Sequence, residues 1–508
     1  MARRVPPAVI AVAAGLTLAA AGACSQILGV QDIPTNPPDA GVDAASHHDG
    51  TVDAREGGRH DAGADSSDGG AVRLPTCEAG ARRCSDDGVH VQSCLTDGGW
   101  GVSATCSGET PVCAGGTCAC APADRKCTAD QVPEVCAPSD GGPPVWREAG
   151  AACTGGCTLS GCAAIAPSCA AADGGAANLL GLTDCASTDG GAQSCCTSHE
   201  VPGGTVELSY DGYKHDGGAD YAKHVGSASV SPFRLDRFEV TVGRFRRFFE
   251  ASPGGWTKTS GWAPPSGSGK HTHLNGGQGL LDAASDGGVA YEKGWDPGWN
   301  SALWQAMNAL QGGTTTAACT SGFPTWTPIP GTTGNEEEAM NCLTWPQAYA
   351  FCIWDGGFLP SEAEWNYAAA GGNEQRSYPW SPSLADQRQR DGGRPDETID
   401  CNHANYEGCN PGPEAVGSHW ASGDSKWLQS DMAGNVAEWT LDVHRPTYAA
   451  SCPDCAILGP HSDASVPIRV RRGGYYLSLA PYVLVAYRGY DLQSSDAYIG
   501  GVRCARAP

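Results

Sequence analysis

The stretch Asp431-Met432-Ala433-Gly434-Asn435-Val436-Ala437-Glu438-Trp439-Thr440 decides how the rest of this chain is read. Two carboxylates, Asp431 and Glu438, stand seven positions apart. The Gly434-Asn435 pair between them suits a tight backbone turn. Such a turn aims the main-chain carbonyls of Gly434 and Val436 at the space between the acids. A hard cation such as calcium takes about six to eight oxygens of this kind, from carboxylates and backbone carbonyls. The spacing is not that of an EF-hand loop, and a turn with two solvated acids fits the same residues.

Four further stretches accompany it in order. They are Phe238-Glu239-Val240-Thr241-Val242, Leu359-Pro360-Ser361-Glu362-Ala363-Glu364-Trp365-Asn366-Tyr367-Ala368-Ala369, Arg472-Gly473-Gly474 and Gly500-Gly501-Val502-Arg503. Together with the Asp-Met-x-Gly-Asn-x-x-Glu-Trp segment, they resemble the formylglycine-generating (sulfatase-modifying factor) family, from Cys195 to the C-terminus. The resemblance implies an α+β, C-type-lectin-like fold with much irregular structure. It also implies a structural calcium held by Asp431, Gly434, Val436 and Glu438. A second calcium of the family is matched here by Asn405 and Tyr406, but its remaining ligands have no clear counterpart before Val416. The family usually carries Arg where Phe358 stands, so a buried charge contact is expected to be missing.

Active members of that family oxidise a substrate cysteine to formylglycine with oxygen. They hold copper(I) on two cysteines five apart, shortly after the Arg-Gly-Gly segment, and soft thiolates are what copper(I) selects. Counting on from Gly473-Gly474, those places hold Ser478 and Val483, and residues 475–490 contain no cysteine. Copper is therefore not expected, and no catalytic residue is assigned. Arg472, Tyr476, Ser478, Tyr487 and Arg488 are the candidate groove. The family's non-heme iron oxygenases carry their histidine ligands in a separate helical domain, to which no stretch here corresponds.

The chain has 508 residues, which suggests about three domains. With Lys+Arg 32 against Asp+Glu 56, the net charge of −24 argues against a nucleic-acid partner, because phosphate binding needs clustered cations. Residues 1–23 read as an export signal: Arg3 and Arg4, then an apolar run from Val5 to Ala20, then small residues before Cys24. This resembles a bacterial lipoprotein signal, which implies lipidation of Cys24 and a membrane anchor. Ser25 following Cys24 implies the outer membrane or cell surface. An ordinary cleaved signal and a spanning anchor are the competing readings. Residues 24–75 read as a tether, since 31–75 are rich in Asp, Gly, Ala and Ser and lack Trp, Phe and Tyr.

Residues 76–165 repeat a six-cysteine unit: Cys77, Cys84, Cys94, Cys106, Cys113 and Cys118, then Cys120, Cys127, Cys136, Cys153, Cys157 and Cys162. Units this short lack a sufficient core, so disulfides are favoured over zinc. Their connectivity is open. Cys452 and Cys455 form a CxxC, read as disulfide rather than redox centre.

Residues 166–508 form the domain of the resemblance. Ser231 to Val242 alternates and predicts a strand. A helix follows from Val242, with Phe245, Phe248 and Phe249 on one face and Arg244, Arg246 and Arg247 on solvated faces. Residues 254–335 predict a long irregular layer, whose Trp256, Trp262, Trp295, Trp299, Trp304 and Trp326 either stack on ligands or cap a core. His271 and His273 in it could pair on a metal, without a visible third ligand. Trp345 to Trp354 has helical spacing, and Ser361 with Glu364 makes a capping box opening another helix. First-turn positions explain Glu362 and Glu364 through the helix dipole.

The function expected is a calcium-braced, non-catalytic surface module that binds an exported protein, a peptide or a glycan. An active enzyme of the same family is the alternative.

Overall fold

In the computed structural model, residues 81–508 are described apart from short internal stretches, the longest being 171–180 and 213–225. The expected signal, Cys24 and the tether lie outside the described residues. No helix among the described residues is long and apolar enough to cross a membrane.

The cysteine-rich region is built of short hairpins. Strands β1 (Arg82–Cys84), β2 (His90–Cys94) and β3 (Trp100–Thr105) form an antiparallel sheet, followed by the hairpin β4 (Val112–Ala114) and β5 (Thr117–Ala119). The arrangement repeats as β6 (Arg125–Cys127), β7 (Pro133–Ser139) and β8 (Gly142–Glu148), then β9 (Cys157–Thr158) and β10 (Gly161–Cys162). Disulfides Cys84–Cys113, Cys106–Cys118 and Cys120–Cys136 staple it.

The remainder is a mixed helix and strand domain. Strands β11 (Ser198–Val201), β12 (Gly204–Glu207), β13 (Ser227–Val230) and β14 (Phe233–Asp236) precede helix α1 (Val242–Glu250). The predicted strand 231–242 is thus only Phe233–Asp236, because Thr241 turns to cap α1 and its hydroxyl accepts from Arg244 N at 3.1 Å. Strand β15 (Leu281–Asp282) and helix α2 (Asn300–Gln311) lie in the stretch predicted to be wholly irregular. Leu303, Met307 and Leu310 are the buried stripe of α2, at helical spacing.

Helix α3 (Trp345–Trp354) appears as its periodicity predicts. Helix α4 (Glu362–Ala370) opens on the Ser361/Glu364 capping box and ends at Gly371 in the left-handed region. Helix α5 (Leu384–Arg390) and strands β16 (Ala437–Val443), β17 (Cys455–Ala456), β18 (Ile468–Arg472), β19 (Gly489–Leu492), β20 (Gly500–Gly501) and β21 (Ala505–Arg506) complete it. The central sheet runs β19-β18-β16-β20, with β20 parallel to β16. The C-terminal β21 joins β14 beside β11.

The main core is aromatic. Phe245 and Phe248 of α1 meet Phe351 of α3, Trp256 and Trp326 edge-to-face or stacked. Trp256, Trp295 and Trp326 are buried, and Trp262, Trp299 and Trp304 pack against the same core. The tryptophan-rich layer therefore caps the core. Disulfide Cys352–Cys504 ties α3 to the C-terminus across 152 residues.

Two of the arginines expected in solvent are buried. Arg244 pairs with Asp236 (2.9 Å) and Asp355 (2.6 Å), and Arg506 meets the same two acids. Arg246 pairs with Glu336 at 2.7 Å. Only Arg247 conforms to the expectation, being half-buried at the helix edge.

Candidate functional site

The Asp431–Glu438 stretch enters β16 through a turn whose residues are locked from several sides. Gly434 has φ +86°, and a Cβ there would lie 2.1 Å from the Asn405 carbonyl oxygen. Glycine is therefore required at this point. Asn435 (φ +53°) is a hub. Its N–H donates to Asn405 O (2.8 Å), its side-chain amide donates to Glu239 (2.5 Å), and its side-chain oxygen accepts from Glu414 N (2.9 Å). Its carbonyl accepts from Tyr476 N at 3.0 Å. Glu239 also accepts from Val436 N at 3.1 Å.

The two carboxylates do different things. Glu438 accepts from Arg503 Nε on both oxygens (2.9 and 2.8 Å) and from Arg503 Nη2 (2.7 Å), with Trp365 Nε1 adding a fourth contact at 2.7 Å. Arg503 spends its other donors on the carbonyls of Asp236, Arg237 and Ser430. Glu438, expected as a cation ligand, is clasped in this structure by a buried arginine. Asp431, at φ +60°, accepts from Gly417 N at 2.5 Å through one oxygen. Burial raises its pKa to about 6. Burial, then Asp431 and Glu438, push Glu239 well above the carboxylate range. Three buried acids thus surround one buried cation, and Arg237 nearby is taken by Asp424 at 3.1 Å.

At the expected second cation site, Asn405 and Tyr406 are hydrogen-bonded within their own loop. The Asn405 amide nitrogen donates to Gly412 O (2.9 Å), its side-chain oxygen accepts from Asn410 N (3.3 Å), and the Tyr406 carbonyl accepts from Cys409 N (3.0 Å). These residues shape the loop closed by Cys401–Cys409. Among the described residues, no three His, Cys, Asp or Glu side chains are placed to hold a metal. A cation here would depend on main-chain oxygens.

The candidate groove residues are mostly enclosed. Arg472, Tyr476 and Ser478 are buried, and Tyr487 and Arg488 half-buried. Arg488 makes two 2.7 Å bonds to Glu362, with Arg472 3.5 Å from the same acid, so Glu362 serves more than the helix dipole. Arg472 also donates to the Tyr487 carbonyl. By contrast, Leu477 (42 %), Leu479 (50 %) and Tyr482 (40 %) are exposed on one loop, and exposed Phe323 stands edge-on to Tyr476.

Ser478 is turned into the loop: its Oγ accepts from Tyr475 N at 3.0 Å. Val483 is fully buried with Tyr378, Ala404, Ala433 and Leu484. Every cysteine whose side chain is described is in a disulfide.

His271 is not half of a histidine metal pair. Its Nδ1 meets Glu292 (2.9 Å) and its Nε2 meets Glu364 (3.0 Å), so both nitrogens are used. Burial alone would lower its pKa, but Glu364 and Glu292 outweigh that and raise it to about 10. Its ring lies 3.9 Å from that of Phe358. The His271 imidazole, held between the two acids, packs directly on Phe358. Sequence reading passed over this role, along with those of Glu239, Asn435 and Arg503. Three of the four stood inside the quoted motifs, which was the available signal.

Residues 188–508 match the family model described as sulfatase-modifying factor enzyme 1-like domain. The chain is 30% identical over 319 residues to the formylglycine-generating enzyme of Streptomyces coelicolor, covering 60% of this chain and 87% of that protein. It is 26% identical to the hercynine oxygenase of Mycolicibacterium smegmatis, covering 61% of each. Among solved structures, PvdO from Pseudomonas aeruginosa is 17% identical, with a TM-score of 0.37 and coverage of 65% of this chain and 100% of that one. With the motifs in order and most of the chain matched, this protein belongs to the sulfatase-modifying factor, or formylglycine-generating-enzyme, family.

Proposed function

We propose that this chain is a surface-anchored binding module of its family, without the copper–thiolate chemistry. The observation that carries this reading is the pair Ser478 and Val483. One is a hydroxyl bonded back to its own loop, the other an aliphatic side chain in the core. Neither offers the soft sulfur that copper(I) selects. The exposed Leu477, Leu479, Tyr482 and Phe323 favour an extended peptide of an exported protein with apolar side chains. A glycan is less well served, because the tryptophans that would stack on sugars pack against the core. The scaffold is read as C-type-lectin-like, and acylated Cys24 as its anchor to the outer membrane or cell surface. The tether 24–75 and the cysteine-rich region 76–165 are the spacer.

Calcium is part of the proposal. With Glu239 held neutral by burial, Asp431 and Glu438 exceed Arg503 by one negative charge, which a divalent cation would offset. Asp431 with the Gly434 and Val436 carbonyls would hold it, while Glu438 stays with Arg503. Its chemistry there is to brace the turn.

The enzyme alternative is favoured by the relatives, two of which are named as a formylglycine-generating enzyme and an oxygenase. Copper decides between the readings. Titration of copper(I) against a competing chelator should give the same result for the wild type and Ser478→Ala. A Cys-x-Pro-x-Arg peptide incubated with protein, copper and oxygen should keep its mass. Copper-dependent appearance of an aldehyde product would establish the enzyme instead.

A further inference from the structure

The two cysteine-rich units share one strand plan, and each reveals part of the pairing that the other leaves open. In the first unit Cys84 closes β1, Cys94 closes β2, Cys106 follows β3, and Cys113 and Cys118 face each other across β4 and β5. In the second, Cys127 closes β6, Cys136 lies on β7, Cys153 follows β8, and Cys157 and Cys162 face each other across β9 and β10. A tryptophan stands across the sheet from the third cysteine in both, Trp100 opposite Cys94 and Trp146 opposite Cys136. The six cysteines of each unit therefore correspond one to one.

The first unit bonds its second cysteine to its fifth, Cys84–Cys113, and its fourth to its sixth, Cys106–Cys118. The second unit bonds its first to its third, Cys120–Cys136. These three bonds use different positions and never conflict. We infer that both units share one framework, first to third, second to fifth and fourth to sixth. It assigns Cys77–Cys94, Cys127–Cys157 and Cys153–Cys162. The direct cross-strand bond Cys157–Cys162 is rejected, because the facing pair Cys113 and Cys118 bond elsewhere. Cys94 is disulfide-bonded, as the framework requires, and Cys77, Cys153 and Cys452 lie outside the described residues.

The consequence reaches the rest of the chain. Cys455 is also disulfide-bonded. Once the units are closed on themselves, Cys24 and Cys452 are the cysteines left, and Cys452, three residues away, is its partner. The eight bonds seen and the four inferred use 24 of 25 cysteines. Cys24 alone stays outside the framework. Each bond forms by thiol–disulfide exchange: two thiols lose two electrons and two protons to a disulfide donor, which leaves as a dithiol. The assignment does not depend on the binding-module reading.

The test is a peptide map of the full chain, alkylated without reduction and cut with several proteases, because Cys118 and Cys120 are separated by one residue. Linked peptides should join Cys77 to Cys94, Cys127 to Cys157, Cys153 to Cys162 and Cys452 to Cys455. Cys94→Ser should release one thiol per chain, at Cys77. Should that variant misfold, Cys77→Ser with Cys94→Ser should release none and leave the other bonds unchanged. A link between the two units, a Cys157–Cys162 bond, or Cys24 in any disulfide overturns the framework.

Discussion

Two neighbouring loops of the same domain have met different fates. The turn at 431–438 and the segment at 473–483 touch directly: Gly434 N donates to Gly473 O (2.8 Å) and Tyr476 N to Asn435 O (3.0 Å). In the first, a glycine, an asparagine and a buried Glu–Arg pair each make several bonds that the fold depends on. In the second, Ser478 is a self-bonded hydroxyl and Val483 a core side chain, at the two positions proposed to have lost the copper ligands, and the rim is apolar. The buried turn is held by folding itself, since any gap there leaves an uncompensated charge. The loop at 475–483 is anchored by buried Tyr476 and Val483, while its exposed rim, Leu477, Leu479 and Tyr482, is free to vary at little cost to the fold.

That contrast is broken most sharply at Arg503. Removing one partner of a buried ion pair strands the other charge, at a cost of about 3–5 kcal/mol. Arg503→Ala should lose that much in urea unfolding, and Glu438→Ala a comparable amount. Losses below about 1 kcal/mol would mean that the turn is no more constrained than the surface loop.

His271 extends the comparison to the distant irregular layer. His271→Gln leaves Glu292 and Glu364 buried without their shared cation and should cost about 3 kcal/mol at neutral pH. The pH dependence has a definite sign. The folded pKa of about 10 lies above the ordinary 6.5, so the contribution is complete below about pH 6.5 and fades as pH rises through about 10. Unfolding curves of wild type and variant should converge toward pH 10; a gap that stays constant would show that the ring matters for packing alone.

The elements were legible where the signal is local. Ser361 with Glu364 announces its helix within one turn, and Trp345 to Trp354 within three. What periodicity does not carry is the partner. Arg244 finds Asp355 at a separation of 111 residues, Arg246 finds Glu336 at 90, Glu438 finds Arg503 at 65 and His271 finds Glu364 at 93. An arginine on a helix face looks solvated until the acid opposite it is known. The same limit applies to the groove residues: Arg472 is placed against Glu362 and Trp365, and Tyr476 against Phe323 and Tyr498, all remote in sequence or unannounced by periodicity.

Calcium sharpens the comparison from the side of the turn. A ligand bound only by the folded state adds about 2.7 kcal/mol at a hundred times its dissociation constant. Chelation should lower the melting temperature accordingly, and Asp431→Asn should abolish the response while keeping the Glu438–Arg503 pair. An unmoved wild-type melting curve would mean that the turn needs no cation.

The smallest effect is expected at Ser478. Its hydroxyl accepts one backbone hydrogen bond, from Tyr475 N at 3.0 Å, so Ser478→Ala should cost about 1 kcal/mol. Copper(I) affinity should not change with it, because a hard hydroxyl contributes little to a soft ion. The informative counterpart is Ser478→Cys with Val483→Cys. Valine to cysteine removes little volume from the cluster of Tyr378, Ala404, Ala433 and Leu484, so the fold should tolerate it. If the loop backbone is still that of an enzyme, the pair should acquire copper(I) affinity at once. If the apolar rim has reshaped it, the thiols should remain independent or oxidise to a disulfide. The first outcome would show that chemistry was lost at two side chains; the second, that the loop was rebuilt around a different ligand.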